Sequence, residues 1–402
     1  SSAPSVGHCN TMGTASSMNS IAEALGMSLT GCAAIPAPYR ERSQISYETG
    51  LRIVDMVKED LKPSDIMNLK SFKNAIITAS AIGASSNAPP HLIAIAKKLN
   101  INLKLDHWEE YGEKIPLLVN MQPSGDYLGE SFYKAGGIPA VMNELNKNNL
   151  IEKNAITVTG KTIEENIQNL NIHDKKVISN FNNPIKKDAG FLVLRSNFFE
   201  TAIMKISVIS EEFKKRYLSN PNHPNYFESK AIVFDGPEEY HKKINDPNLG
   251  IDENCILIMR GCGPIGYPGS AEVVNMQPPD YLLKKGITSL PCLGDGRQSG
   301  TSESPSILNV SPEAAVGGLI GIIQNNDIIK VDLNKKRVDL VLNEKIIQDR
   351  QSKNKYNFPK NQTPWQEISR KFTGQLSEGA CLELEDSYIN ISDEKNFPRD
   401  SH

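Results

Sequence analysis

Glu272, Ser299 and Cys9 are the side chains whose surroundings most suggest chemistry. Glu272 closes the stretch Arg260-Gly261-Cys262-Gly263-Pro264-Ile265-Gly266-Tyr267-Pro268-Gly269-Ser270-Ala271-Glu272, and Ser299 lies in Gly294-Asp295-Gly296-Arg297-Gln298-Ser299-Gly300-Thr301-Ser302. Glycine and proline at this density fix backbone paths that other residues cannot follow, and rigid loops of this kind are where sites sit. A glutamate there is a hard oxygen ligand suited to Mg²⁺, and a serine hydroxyl is a potential base or nucleophile. Each also has an ordinary reading, a solvated loop carboxylate and a turn serine. Cys9 lies in Gly7-His8-Cys9-Asn10-Thr11-Met12-Gly13, just ahead of a helical pattern. A helix N-terminus lowers a thiol's pKa and favours an anionic iron–sulfur cluster. The alternative is a buried inert thiol, since one cysteine cannot hold a cluster.

The elements that must position these loops follow from periodicity. Met18, Ile21, Ala22 and Leu25 repeat at helical spacing, with Gly26 as the stop. A second helix is predicted over Tyr47–Leu61, with Ile53, Val54, Val57 and Leu61 on one face, and Pro89-Pro90 opens a third. Ile115–Val119 has the length of a buried strand, so the first half reads as α/β layering around a parallel sheet. Residues 168–187 are rich in Asn, Lys and Asp without periodic apolar groups and read as a linker between residues 1–167 and 188–402. Beyond it, Gly190–Leu194, Ala231–Phe234 and Cys255–Met259 read as strands. Ile328–Leu333 and Arg337–Leu342 flank Asn334-Lys335-Lys336 as a hairpin. Ser352–Gln362 reads as a polar surface loop and the last twenty residues as a mobile tail.

Length and composition narrow the classes. A chain of 402 residues suggests two domains, and 39% apolar with 23% charged residues is a globular composition. The net charge of -3 and the lack of a basic run give no reason to expect nucleic acid. The most apolar run, Ala75–Ala84, is too short to span a bilayer, and no leader pattern is visible. Six sparse cysteines point to reduced thiols in a cytoplasm. Thr159-Gly160-Lys161-Thr162 imitates the end of a phosphate-binding loop, but Ala155 stands where its first glycine belongs. Cys255 and Cys262 make a poor zinc pair, and His8 reads as a packing neighbour of Cys9.

Taken together, these loops resemble the dihydroxy-acid and sugar-acid dehydratase family. The likeness extends through Glu23–Leu29, Ala135–Met142, Thr157–Thr162, Ser306–Asn309 and Ser311–Ala315. It implies the latter part of an αβα-layered domain followed by a β-barrel-like domain with flanking helices, and an active site between them. It further implies that Cys9 is one thiolate of an iron–sulfur cluster of the 2Fe-2S kind and that Glu272 binds Mg²⁺. Ser299 would be the base that takes the C2 proton, and Thr301 a substrate contact. Gly266-Tyr267-Pro268-Gly269-Ser270-Ala271-Glu272-Val273-Val274-Asn275 is closer to the aldonic-acid (arabinonate or xylonate) type than to the branched-chain Gly-Gly-Pro-Gly-Met-x-Glu-Met pattern. The implied reaction is dehydration of a sugar acid to a 2-keto-3-deoxy acid, in a homodimer or homotetramer. The alternatives are a branched-chain 2,3-dihydroxy-acid substrate or a non-catalytic fragment. A phosphosugar acid would need a basic cluster that is not seen. Two further cluster cysteines and an aspartate and lysine at the Mg²⁺ site are expected upstream of the loop that opens this chain. The chain therefore reads as N-terminally truncated, inactive alone, and left with uncovered apolar surface.

Overall fold

The computed structural model describes residues 6–359 and 363–384; of the tail expected over the last twenty residues, all but the first two lie outside them. The first half is helical: α1 (Thr14–Ala24), α2 (Arg40–Lys58), α3 (Pro63–Ile66), α4 (Leu69–Ala81), α5 (Ala88–Lys98), α6 (Asp106–Tyr111), α7 (Gly129–Lys134), α8 (Gly137–Lys147) and α9 (Ile163–Ile167). Among its described residues there is no extended strand. Ile115–Val119 forms only isolated bridges, Leu117 with Lys186 and Val119 with Ile178. Both bridges are antiparallel and their partners, Lys186 and Ile178, are not adjacent, so no ladder forms and the expected parallel sheet is not present there. The same contacts show that residues 168–187 are pinned to the helical half, with Val177 and Ile178 buried.

The second half is one eight-stranded sheet: β1 (Phe191–Leu194), β2 (Thr201–Lys205), β3 (Tyr226–Asp235), β4 (Cys255–Arg260), β5 (Cys292–Gly294), β6 (Ile307–Ser311), β7 (Ile328–Asp332) and β8 (Arg337–Leu340). Their spatial order is β1-β2-β6-β5-β4-β3-β7-β8. The four central strands run parallel, and antiparallel pairs flank them on both sides. Arg195, just past β1, bridges Arg337 at the start of β8 and nearly closes the sheet into a barrel. This mixed architecture of helices and a barrel-like sheet agrees with the α/β reading at the level of class.

Alternation along the strands makes two cores. Ile256 and Ile258 of β4 point into the barrel beside Leu194, Leu293 and Val331. Cys255, Leu257 and Met259 point outward, into a continuous cluster with Ile77, Leu118 and Trp108 of the helical half. Charges reinforce this seam. Arg195 pairs with Asp106 at 2.5 Å and Glu109 at 3.1 Å, and Lys336 with Glu109 at 3.0 Å and Glu113 at 2.6 Å. The apolar stripe of α2 is open, in keeping with the expectation of uncovered apolar surface. Ile53, Val54 and Val57 are 53%, 52% and 75% exposed, and only Met56 is buried. No helix among the described residues is long and apolar enough to cross a membrane.

Candidate active site

Because β4 and β5 are parallel, the two glycine-rich loops leave the sheet at the same end, where open α/β sheets bind ligands. Asp295, the first residue beyond β5, is fully buried. Its carboxylate accepts the N–H groups of Gly261 at 2.8 Å, Cys262 at 2.9 Å and Ala314 at 2.9 Å. Burial pushes its pKa up, and the three donors pull the other way. One side chain thus fixes the start of both loops. Glu313 accepts from Ile265 and Gly266, each at 2.9 Å, and burial pushes it up to about 7. The Tyr356 hydroxyl donates to Gly261 O at 2.9 Å and accepts from Tyr267 N at 3.0 Å. The expected polar loop over Ser352–Gln362 therefore holds an anchoring residue. The loops are also tied to each other, Arg297 Nε donating to Ser270 O at 2.7 Å.

At their tips the loops meet the helical half around the start of α1. One oxygen of Glu272, Oε1, accepts from Asn87 Nδ2 and from Thr14 Oγ1, the latter at 3.3 Å. Oε2 accepts no hydrogen bond from a described residue, and Glu272 itself is exposed. Ser299 is half-buried; its Oγ lies 2.8 Å from Thr301 Oγ1 and accepts from Thr301 N at 3.3 Å. The turn between them presses on the other half. A Cβ on Gly300 would come 2.5 Å from Ser85 Oγ and 2.8 Å from Thr14 N, so only glycine permits this approach. A Cβ on Gly13 would lie 3.0 Å from Thr301 Cγ2 and 3.6 Å from Cys9 Sγ. Cys9 and the Ser299–Thr301 turn therefore flank the same bare Cα.

Cys9 is half-buried, with its Sγ 3.3 Å from Thr11 Oγ1. Its loop is held by Met12 N donating to Gln122 O and Gly129 N to Asn10 O, both at 2.7 Å. The His8 ring contacts Cys9 O at 2.8 Å and faces Asn19. His91, in the first turn of α5, feels the same site. Desolvation of its crowded side, then the Arg297 charge, hold its pKa below the usual value, against the pull of Glu272, although its outer side is open to solvent. Thr14, Ser85 and Asn87 were not foreseen from the sequence. Gly83-Ala84-Ser85-Ser86-Asn87 reads as an ordinary turn ahead of Pro89.

Thr301 and Ser302 form one wall of a cleft of about 620 Å³. Polar groups dominate its lining: seven serine and threonine hydroxyls, Thr301, Ser302 and Ser304 among them, the amides of Asn275 and Gln277, and the carboxylates of Asp126, Glu212 and Glu303 beside Lys186, its one cation. A second cleft, of about 520 Å³, lies beside Arg260, Tyr267 and Tyr356. There the Arg260 guanidinium is already engaged by Asp235 and by Gly321 O and Ile323 O.

Among the described residues no three His, Cys, Asp or Glu side chains converge as a metal site, and all six cysteines are free thiols. Cys255, Cys262 and Cys292 are buried in the core. Among the described residues at this site, Cys9 Sγ is the one thiol that could serve a cluster and Glu272 Oε2 the one unengaged carboxylate oxygen that could serve Mg²⁺. By donor chemistry each would suit such a group as a single ligand, and neither completes a set.

Residues 1–166 match the N-terminal domain, and residues 176–380 the C-terminal domain, of the dihydroxy-acid/6-phosphogluconate dehydratases. The chain belongs to this family. A D-xylonate dehydratase of Caulobacter vibrioides is 55% identical over 402 residues, which are 100% of this chain and 67% of the relative. An L-arabinonate dehydratase of Rhizobium leguminosarum bv. trifolii is 44% identical over 337 residues, 84% of this chain and 56% of the relative. A dihydroxy-acid dehydratase of Clostridium botulinum is 37% identical over 381 residues, 94% of this chain and 66% of the relative. The chain thus spans between 56% and 67% of the length of these relatives.

Proposed function

We propose that this chain carries the larger part of a hydro-lyase that dehydrates an aldonate to a 2-keto-3-deoxy acid. The observation that supports this most is the meeting of Glu272, Ser299 and Thr301 with the Cys9 loop, beside a polar cleft that Thr301 lines. A polyhydroxy chain can exchange hydrogen bonds with such walls, whereas a branched hydrocarbon would leave them unpaired. The relatives named for D-xylonate and L-arabinonate point the same way.

The chain's own groups divide the work. Ser299 Oγ takes the C2 proton. Two donors, Thr301 Oγ1–H at 2.8 Å and Thr301 N–H at 3.3 Å, favour its anionic form. Thr301 also faces the cleft, where it orients the substrate's hydroxyls. With the C2 proton gone and the C3 hydroxyl expelled as water, the enol tautomerises to the ketone. Cys9 and Glu272 would be this chain's ligands to an iron–sulfur cluster and to Mg²⁺, which when bound would supply Lewis acidity at the departing hydroxyl and at the carboxylate end. Both groups need further ligands than the described residues provide.

The test is an assay of keto-acid formation from D-xylonate, L-arabinonate and a branched 2,3-dihydroxy acid, after anaerobic reconstitution in a protein of the relatives' length. The aldonates should turn over fastest, and residues 1–402 alone should form no product. A preference for the branched acid, or keto acid formed by this chain alone, would overturn the reading.

A further inference from the structure

Asn87 is fully buried at the seam between the two halves, one residue ahead of α5. Its Nδ2 is within hydrogen-bond reach of three acceptors: the Glu272 carboxylate, Gln298 O at 3.2 Å and Thr14 Oγ1 at 2.9 Å. Glu272 and Gln298 belong to different loops, one following β4 and the other β5. A primary amide has two hydrogens on one nitrogen, so a single group of the helical half can bind both loops together. Thr14 completes the arrangement, with its hydroxyl 3.0 Å from Ser85 Oγ and 3.3 Å from Glu272 Oε1.

The other end of the same amide argues against a purely structural role. Asn87 Oδ1 is buried and accepts no hydrogen bond, which costs stability. A serine has a single hydrogen and could not serve two loops. The site keeps the residue that bridges, at the expense of an orphaned carbonyl.

We infer that Asn87 is a positioning residue that sets the Glu272 carboxylate in register with Ser299, the residue after Gln298. The inference rests on the roles proposed above for Glu272 and Ser299. By engaging Oε1, Asn87 leaves Oε2 as the oxygen available to a cation. By engaging Gln298 O, it fixes the peptide plane that leads into Ser299. Misplacement of such groups by an ångström costs on the order of 100-fold in rate.

The experiment compares Asn87→Ala, Asn87→Ser and Asn87→Asp in the reconstituted holoenzyme. Three quantities are read: kcat and KM for the aldonate, the Mg²⁺ concentration for half-maximal activity, and the shift of thermal midpoint on adding Mg²⁺. Asn87→Ala should lower kcat roughly 100-fold with KM changed only a few-fold, and should raise the Mg²⁺ requirement. Asn87→Ser, with one donor, should fall between it and the parent, and it serves in place of Asn87→Ala if that variant does not fold. Asn87→Asp puts a second carboxylate against Glu272. It should be the least stable variant without Mg²⁺ and should gain the most in thermal midpoint when Mg²⁺ is added. Lower thermal midpoints with unchanged kcat and unchanged Mg²⁺ response would overturn the inference. Glu272→Ala and Ser299→Ala run alongside: if they keep activity, the proposed function has failed instead.

Discussion

The side-chain oxygens of Ser299 and Thr301 stand 2.8 Å apart across Gly300, whose bare Cα is pressed against Ser85 and the first backbone nitrogen of α1. The turn is therefore shaped from both sides. The barrel supplies its hydroxyls, and the helical half supplies the surface that bends it.

Replacing Ser299 by Ala should abolish both product formation and exchange of the substrate's C2 proton with solvent, because the turn holds no His or Lys to substitute as base. Thr301→Val should keep the base but remove one donor to it. A hydrogen bond to a charged group contributes about 1.5–3 kcal/mol, so kcat should fall roughly 10- to 100-fold. Proton exchange followed by NMR checks both, and persistent exchange in the alanine variant would assign the base elsewhere.

Glu272→Gln should lose Mg²⁺-dependent turnover while the visible absorbance of the cluster is unchanged, since an amide oxygen is a much weaker Mg²⁺ ligand than a carboxylate. Near-normal activity at ordinary Mg²⁺ would remove Glu272 from the site.

Gly300→Ala places a methyl 2.5 Å from Ser85 Oγ and 2.6 Å from Ser85 Cβ. Overpacking of this kind costs about 1–3 kcal/mol, and here it also tilts Ser299. Denaturant melts and turnover should both register the loss. Adding Ser85→Gly should restore part of the stability; no restoration would show that the clash is with the α1 backbone alone.

Lys205, on the face of β2 that meets the helical half, is 6% exposed, and its Nζ has no hydrogen-bond partner among the described residues. Burial, then the nearby charge of Lys186, push its pKa down to about 7 from 10.5. Between these values the unfolded chain holds a proton that the folded one has released, so this group adds stability as pH rises through that window. Below about pH 7 the folded chain bears the whole cost of the buried charge. Lys205→Met should therefore stabilise most at pH 6, by up to about 4 kcal/mol, with the gain shrinking toward pH 10. A variant less stable than the parent at pH 6 would show that the charge has a partner in solution.

The sequence made some of this legible for clear physical reasons. The loops around Cys9, Glu272 and Ser299 stood out because dense glycine and proline are a local signal, and the structure gathers all three at one seam. Asn87 gave no such signal, because its contacts are with Glu272 and Gln298 from the far half of the chain. Strand β4 was readable as a continuous apolar run, whereas β5 has three residues and no period to detect. Helix α4 buries Ser71, Asn74, Thr78 and Ser80 along with its apolar residues, so it shows no polar face. In α2 the apolar spacing announced a helix but placed its start at Tyr47 rather than Arg40, and periodicity reports a stripe and not what covers it.

The strand order also bears on how this protein is made. Ile203 of β2 finds its partner in Leu308 of β6, and Tyr226 of β3 pairs with Asp332 of β7, each about a hundred positions further along. At ribosomal rates of roughly 5–20 residues per second, β2 waits on the order of 5–20 s before β6 exists. Asp295 cannot gather its three N–H groups until Ala314 has been added. Through that interval the nascent chain carries open strand edges and the apolar outer face of β4, which makes the emerging barrel the part most in need of a chaperone.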